Sequence, residues 1–104
     1  MLSRPRPQPK SASTRLTRAL ARRAVREARL RRFTMLVWAR DRGRCRVCHR
    51  VVRRTTGLHP LRGEVHHLLT RGAHPELRYD VANGVLVCLS CHLKLQRHEI
   101  ALPQ

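Results

Sequence analysis

Asn83-Gly-Val-Leu-Val-Cys88-Leu-Ser-Cys91-His92 holds a turn residue, a short β-branched run, a Cys-x-x-Cys pair and a histidine in one continuous stretch. Val85-Leu86-Val87 suits a short strand, because β-branched side chains pack well on a pleated surface. Asn83-Gly84 ahead of it is a strong turn signal. From Cys88 onward the apolar residues move to helical spacing, with Leu89, Leu93 and Leu95 followed by Gln96. A helix is expected from Cys88 to Ile100, ahead of Pro103. The cysteines and the histidine therefore sit where a strand passes into a helix.

A second pair, Cys45-Arg-Val-Cys48, has the same spacing. Such turns point backbone amides at the sulfurs, and two of them supply four thiolates to a closed tetrahedral zinc site. A closed site has no open position, so Cys45, Cys48, Cys88 and Cys91 are expected to hold a structural zinc that serves folding and not catalysis. Four unrelated core cysteines would be a poor explanation of two pairs with one spacing. The stretch between the pairs is longer than in a compact zinc ribbon, which puts a further functional unit between the knuckles. The fold needs the metal: aromatic residues are 3% of 104, namely Phe33, Trp38 and Tyr79. A structural zinc contributes on the order of 10 kcal/mol or more to folding.

Glu64-Val-His66-His67-Leu-Leu69 follows Gly63 and reads as the first strand of that unit. Adjacent strand residues leave opposite faces, so His66 and His67 cannot do the same job. One can ligate a metal beside the helix that packs on its face, and the other can address a water or a phosphate. His92, at the start of the helix, is available as the other protein ligand. Two neutral imidazoles leave a divalent ion most of its coordination shell for water and phosphate oxygens, which is an open, catalytic arrangement. Each histidine alone is more readily a surface or packing residue, but the set together with Asn83 favours chemistry. Thr70 to Ala82 reads as a loop, and Val51 to Leu58 as a short hairpin-like excursion closed around Gly57.

The charge points to a polyanion. Lys and Arg number 23 against 6 Asp and Glu, for a net charge of +17, and only Lys10 and Lys94 are lysines. Arginine's planar fork pairs two-pronged with phosphate and keeps its charge at any working pH. Nucleic acid is the default partner, although a ribosomal or chromatin-like structural role would have the same balance. Residues 1–13 read as a disordered basic tail, residues 14–39 as a basic helical arm and residues 40–104 as the folded domain. In the arm, Leu16, Leu20, Val25, Leu30, Phe33, Val37 and Trp38 recur at roughly helical spacing among many arginines. Ser13 or Thr14 is expected to cap it, Gly43 to end it, and a break near Arg31 to Thr34 would leave a long arm and a shorter helix. Crowded arginines suit a phosphate backbone, and the Leu/Ala stripe suits a protein partner or a second copy. No membrane segment or secretory signal is expected, and the paired cysteines suit a reducing, cytoplasmic location. A transit peptide would fit the acid-free front of the chain, but Pro5, Pro7 and Pro9 suit an extended tail better.

In order, Glu64-Val-His66-His67-Leu, Pro75-Glu-Leu-Arg-Tyr-Asp80, Asn83 and Cys88-x-x-Cys91-His92 resemble the HNH endonuclease superfamily, in its branch with a four-cysteine structural zinc. The likeness covers about Arg40 to Glu99. It implies a small α+β fold: a ββα-metal (His-Me finger) core joined to a four-cysteine zinc knuckle and an N-terminal basic helical arm. Strands near Glu64 to Leu68 and Gly84 to Val87 and a helix from about Leu89 to His98 follow from it. The implied function is a metal-dependent HNH endonuclease that hydrolyses DNA phosphodiester bonds to 5′-phosphate and 3′-hydroxyl ends.

Within that resemblance His67 is similar to the general base, and a free imidazole, titrating near ~6.5, suits that task at neutral pH. His66 and His92 resemble the ligands of the catalytic ion, which is Mg2+, Mn2+ or another transition ion. Asn83 resembles the asparagine whose hydrogen bonds orient the base. Two positions depart from the pattern. Gln96 stands one turn after His92, where some members have a further ligand, with His98 two residues on. Gly84 follows Asn83 where an apolar residue is frequent. Glu64 either supports His66 or pairs with an arginine, and the arginine-rich composition favours the second. Double-stranded DNA is the expected partner, with an RNA-directed nuclease as a third option, because nothing in the sequence selects between A-form and B-form grooves. The alternative from another class is a non-catalytic zinc-containing nucleic-acid-binding module. The presence of His66, His67, Asn83 and His92 together tells against it.

Overall fold

The computed structural model describes residues 11–102. The first helix, α1, spans Ala12–Arg40 over 29 residues without a break. Ser11 caps it, accepting from the Thr14 N–H at 3.2 Å, so the cap lies ahead of the expected Ser13. Ala12 and Ser13 thus belong to the helix rather than the tail, whose first ten positions lie outside the described residues. The break allowed for near Arg31 to Thr34 does not occur, because Phe33 is buried in the core and ties that turn down. The helix stops at Arg40, short of Gly43. Gly43 N–H bonds Trp38 O at 3.1 Å and Arg42 N–H bonds Ala39 O at 3.2 Å, the paired bonds of a Schellman end. Two residues, Arg42 (φ 56) and Gly43 (φ 65), take the left-handed conformation there.

α1 has two unlike parts. Through Arg32 its residues are exposed apart from the half-buried Ala19, whereas Phe33 and Val37 are fully enclosed. They pack on a two-stranded antiparallel sheet formed by β1 (Gly63–His67) and β2 (Gly84–Cys88). The register sets Gly63 opposite Cys88, His66 opposite Val85 and His67 opposite Gly84. Alternation puts Gly63, Val65, His67, Gly84 and Leu86 on the face that meets α1. The other face carries His66, Val85 and Val87 and meets α2 (Leu89–Gln96).

Close approach explains both sheet glycines. A Cβ on Gly84 would lie 2.7 Å from Phe33 Cζ and 3.0 Å from Val37 Cγ2, and one on Gly63 would overlap the Trp38 ring. Gly84 itself is extended (φ −118, ψ 144), so the turn expected at Asn83-Gly84 is the 3-10 turn Val81–Asn83, and Gly84 already belongs to the strand. The glycine is there to admit α1. Val51 to Leu58 forms no hairpin: Val51 bridges Arg44 and Arg53 bridges Arg62, each as an isolated pair. These residues bond to the knuckle and to the approach to β1 instead of to one another, as in Cys45 N–H to Arg50 O and Arg53 N–H to Leu61 O. Two 3-10 turns, Pro75–Leu77 and Val81–Asn83, shape the loop before β2. α2 ends at Gln96, earlier than expected, in a second Schellman arrangement: Glu99 N–H bonds Lys94 O and His98 N–H bonds Leu95 O, with His98 left-handed at φ 59.

The outer edge of β2 is closed by the segment Arg40 to Arg46, through side chains and one backbone bond. Asp41, buried at 6% exposure, accepts from the Leu86 N–H at 2.9 Å, and Arg46 N–H reaches Leu86 O at 2.9 Å. The Arg40 guanidinium bonds Gly84 O and Val81 O. Burial opposes ionisation of Asp41. The Arg40 fork, the Leu86 N–H and the Arg46 charge outweigh it and hold the carboxyl below its usual range. No helix among the described residues is long and apolar enough to cross a membrane.

Candidate active site and metal centre

The four cysteines meet where the knuckle turn, the end of β2 and the start of α2 converge. Their sulfurs all lie within 4.8 Å of one another. A tetrahedral ion with metal–sulfur bonds of about 2.3 Å requires sulfur–sulfur edges of about 3.8 Å. The Cys48 and Cys88 sulfurs are 3.8 Å apart, so the donor set has the size of a tetrahedral site. Backbone amides point inward as a knuckle requires: Val47 and Cys48 N–H donate to Cys45 Sγ, and Cys91 N–H donates to Cys88 Sγ, each at 3.4 Å. Cys88 is also the N-cap of α2, so one residue serves metal site and helix start.

The thiols divide unevenly. Burial disfavours the Cys45 thiolate, but N–H donors from Cys48 and Val47 overcome it and bring its pKa to about 7. Burial pushes Cys88 and Cys91 up, and the charge on Cys45 adds to the shift. Four thiolates this close repel one another, and a divalent cation at the centre resolves that repulsion.

On the other side of α2 a cleft of about 490 Å³ follows the edge of β1, lined by His66, His67, His92, Gln96, Glu64 and Phe33 among others. His66 and His92 meet edge to face with ring centroids 5.4 Å apart. Both rings line the same cleft, which makes them candidate ligands for one ion. Burial lowers the pKa of both rings. His92 and His67 lower His66 further, while for His92 the Glu64 charge opposes the shift and Arg62 adds to it. Both imidazoles are therefore neutral near pH 7, with lone pairs available to a metal.

His67 leaves the opposite face of β1, as strand alternation requires. Its Nε2 lies 3.0 Å from Arg78 O. A carbonyl oxygen only accepts, so Nε2 carries a proton, and in the matching tautomer the lone pair is on Nδ1. Phe33 of α1 stacks on the ring at 5.3 Å and 18°. Asn83 holds the surrounding loop. Its Oδ1 accepts from Leu69 N–H at 2.8 Å, its Nδ2 donates to Leu69 O at 3.1 Å and Leu77 O at 3.2 Å, and its carbonyl accepts from Leu68 N–H at 2.9 Å. The segment leaving His67 is thereby tied to Leu77, next to the residue whose carbonyl holds His67.

Of the two further candidates after His92, Gln96 reaches the cleft, with Nε2 3.4 Å from His92 Nε2, and His98 lies beyond the helix in the cap. Glu64 pairs with Arg62 at 2.6 Å, as the composition favoured. Three contributors escape sequence reasoning. The Arg78 carbonyl is backbone and leaves no signature. Phe33 has the same local pattern as the rest of the arm. Asp41 has a signal, a lone acid in the basic run Arg40-Asp-Arg-Gly-Arg-Cys-Arg46.

The HNH endonuclease family model matches residues 45–98, just over half of the chain. The chain belongs to the HNH endonuclease family, and its helices, two-stranded sheet and cysteine cluster agree with a ββα-metal fold of the zinc-carrying branch. No curated protein and no solved structure matches it. Membership brings a nuclease or nucleic-acid-binding role, and the match begins at Cys45, after α1 has ended.

Proposed function

We propose that the chain is a metal-dependent endonuclease that hydrolyses phosphodiester bonds of double-stranded DNA to 5′-phosphate and 3′-hydroxyl ends. The observation that carries this reading is the His67 Nε2 bond to Arg78 O, which leaves Nδ1 as the ring's acceptor on a residue that lines the same cleft as the His66–His92 pair. His67 is the general base: Nδ1 takes the proton of a water that attacks phosphorus in line, a contribution of about 10²–10⁴-fold. His66 and His92 hold the divalent ion, Mg2+, Mn2+ or another transition ion. When bound, that ion polarises the scissile phosphate and stabilises charge on the leaving 3′-oxygen. Asn83 acts through the loop and does not touch substrate, so it is a positioning residue. Cys45, Cys48, Cys88 and Cys91 hold zinc, which serves the fold. The exposed part of α1, with eight arginines from Arg15 to Arg32 against one acid, Glu27, grips the phosphate backbone as a basic arm. Such contacts position a protein without reading sequence.

The test is incubation of the zinc-loaded chain with supercoiled plasmid and magnesium, manganese or nickel, beside His67→Ala. The parent is expected to nick the plasmid only with added metal, and the variant to bind without cutting. Equal cleavage by both would sink the role of His67. No cleavage with any ion would favour a non-catalytic nucleic-acid-binding module.

A further inference from the structure

A basic surface separate from both the cleft and the α1 arm is a groove of about 720 Å³ at the outer edge of β2, lined by Arg40, Arg42, Arg44, Arg46 and His49. Its one acid, Asp41, is already engaged by Arg40, Arg46 and the Leu86 N–H. The Arg42 guanidinium makes no hydrogen bond or ion pair with the described residues, and that of Arg44 makes a single long one, 3.3 Å to His49 O. These guanidiniums line open space.

Backbone conformation adds a second observation. Among the described residues, Arg42 (φ 56), His49 (φ 65) and His98 (φ 59) are the non-glycine residues in the left-handed region. Glycine takes that conformation without steric cost, and an L side chain does not. Two of the three line this groove, and both carry a group able to donate to phosphate. The chain keeps side chains at positions where its own backbone favours glycine.

The register connects the groove to the cleft. His66 and Val85 are strand partners; His66 lines the cleft and Val85 lines the groove. Partner Cα atoms in an antiparallel pair are about 4.5–5.5 Å apart, less than two nucleotide steps of about 3.4 Å each. We infer that this groove receives the phosphate backbone of nucleic acid next to the bond held in the cleft, with Arg42, Arg44 and His49 as its contacts. The inference rests on the nucleic-acid reading of the cleft and extends it to a separate surface. A competing explanation is that the arginines only offset the charge of the thiolate cluster, and it makes different predictions for stability and metal content.

The measurement is fluorescence anisotropy of a labelled duplex of mixed sequence, about three helical turns long, titrated across salt with the zinc-loaded full chain. All proteins carry His67→Ala so that no cleavage intervenes. Arg42→Gly with Arg44→Gln is expected to weaken binding about tenfold near physiological salt and to flatten the salt slope by about 1.8, since each lost phosphate contact removes about 0.9. The melting temperature should stay level or rise, because glycine relieves the left-handed strain. His49→Asn, which suits that backbone, should weaken binding several-fold with zinc retained. Unchanged affinity and slope in both, with binding lost in Arg22→Gln plus Arg26→Gln, would overturn the groove while leaving the nucleic-acid reading intact. Loss of zinc or of folding in the groove variants would also overturn it, in favour of charge compensation. Failure of the parent to bind the duplex would overturn both readings.

Discussion

The cysteine cluster and the histidine cleft share α2, and they use it in opposite ways. Cys91 and His92 are neighbours in sequence, but a helix turns about 100° per residue, so one side chain goes inward and the other to the cleft. At the cluster four sulfurs converge within 4.8 Å and fill a tetrahedron. At the cleft two imidazoles meet at 5.4 Å beside open space. A closed donor set contributes its binding energy to the fold, while an incomplete one leaves coordination positions to substrate. This division of labour explains why the two belong side by side. On the reading proposed above, two ligands alone would not hold a helix in place, so the position of His92 is fixed by the cysteines that precede it.

The largest effect should come from pulling these neighbours apart. Cys91→Ser is expected to abolish cooperative thermal unfolding and metal retention, because structural zinc supplies about 10–16 kcal/mol in small zinc domains and this core is small. His92→Ala should keep the zinc and melt within a few degrees of the parent, while metal-dependent cleavage falls by two orders of magnitude or more. Circular dichroism melts with metal analysis by mass spectrometry separate the two. If His92→Ala unfolds as completely as Cys91→Ser, cluster and cleft are one unit and the contrast fails.

A smaller effect is expected at Asn83, which belongs to the cleft side alone. Asn83→Ala removes the amide that ties Leu69 to Leu77. Unpaired polar partners cost about 1–3 kcal/mol each when buried, and Leu69 is partly open to water, so a loss of about 1–3 kcal/mol in total is expected. Cleavage should fall by more than tenfold at saturating DNA, with duplex affinity and zinc content unchanged. A variant that loses affinity but keeps its turnover would place Asn83 at the substrate and not behind His67.

Much of this architecture could be read in the residues. Paired Cys-x-x-Cys spacing marked the cluster, and adjacent histidines on a β-branched strand forced opposite faces. What escaped was decided by long-range packing. Nothing local distinguishes Phe33 from the other apolar residues of α1, because burial there depends on a strand that begins only at Gly63. Asn83-Gly84 has the composition of a hairpin turn, and only the arrival of α1 shows that the glycine serves clearance instead of a positive φ. Asp41 closes the β2 edge through a bond to Leu86, a partner that sequence spacing does not reveal. Helix ends moved for a related reason: at both Arg42 and His98 a non-glycine residue takes the left-handed cap, where glycine is the usual signal.

Gly84 separates cluster from cleft most finely, since it touches the cleft through α1 and leaves the cysteines alone. In Gly84→Ala the new methyl would sit 2.7 Å from Phe33 Cζ and 3.0 Å from Val37 Cγ2, so the ring must shift. Overpacking of this kind costs about 1–3 kcal/mol, and a single methyl against a ring edge belongs at the lower end. Phe33 also stacks on His67 at 5.3 Å, so its displacement reaches an imidazole that lines the cleft. Cleavage should therefore drop several-fold while zinc content stays at the parent level. Adding Phe33→Leu opens the space and should recover part of the lost stability, with a coupling of about 0.5–3 kcal/mol in a double-mutant cycle. It should not recover the cleavage rate, because the ring that braces His67 is gone. Full recovery of both would mean that Phe33 acts only as core filling, and that α1 contributes to the fold of the cleft without helping to orient its base.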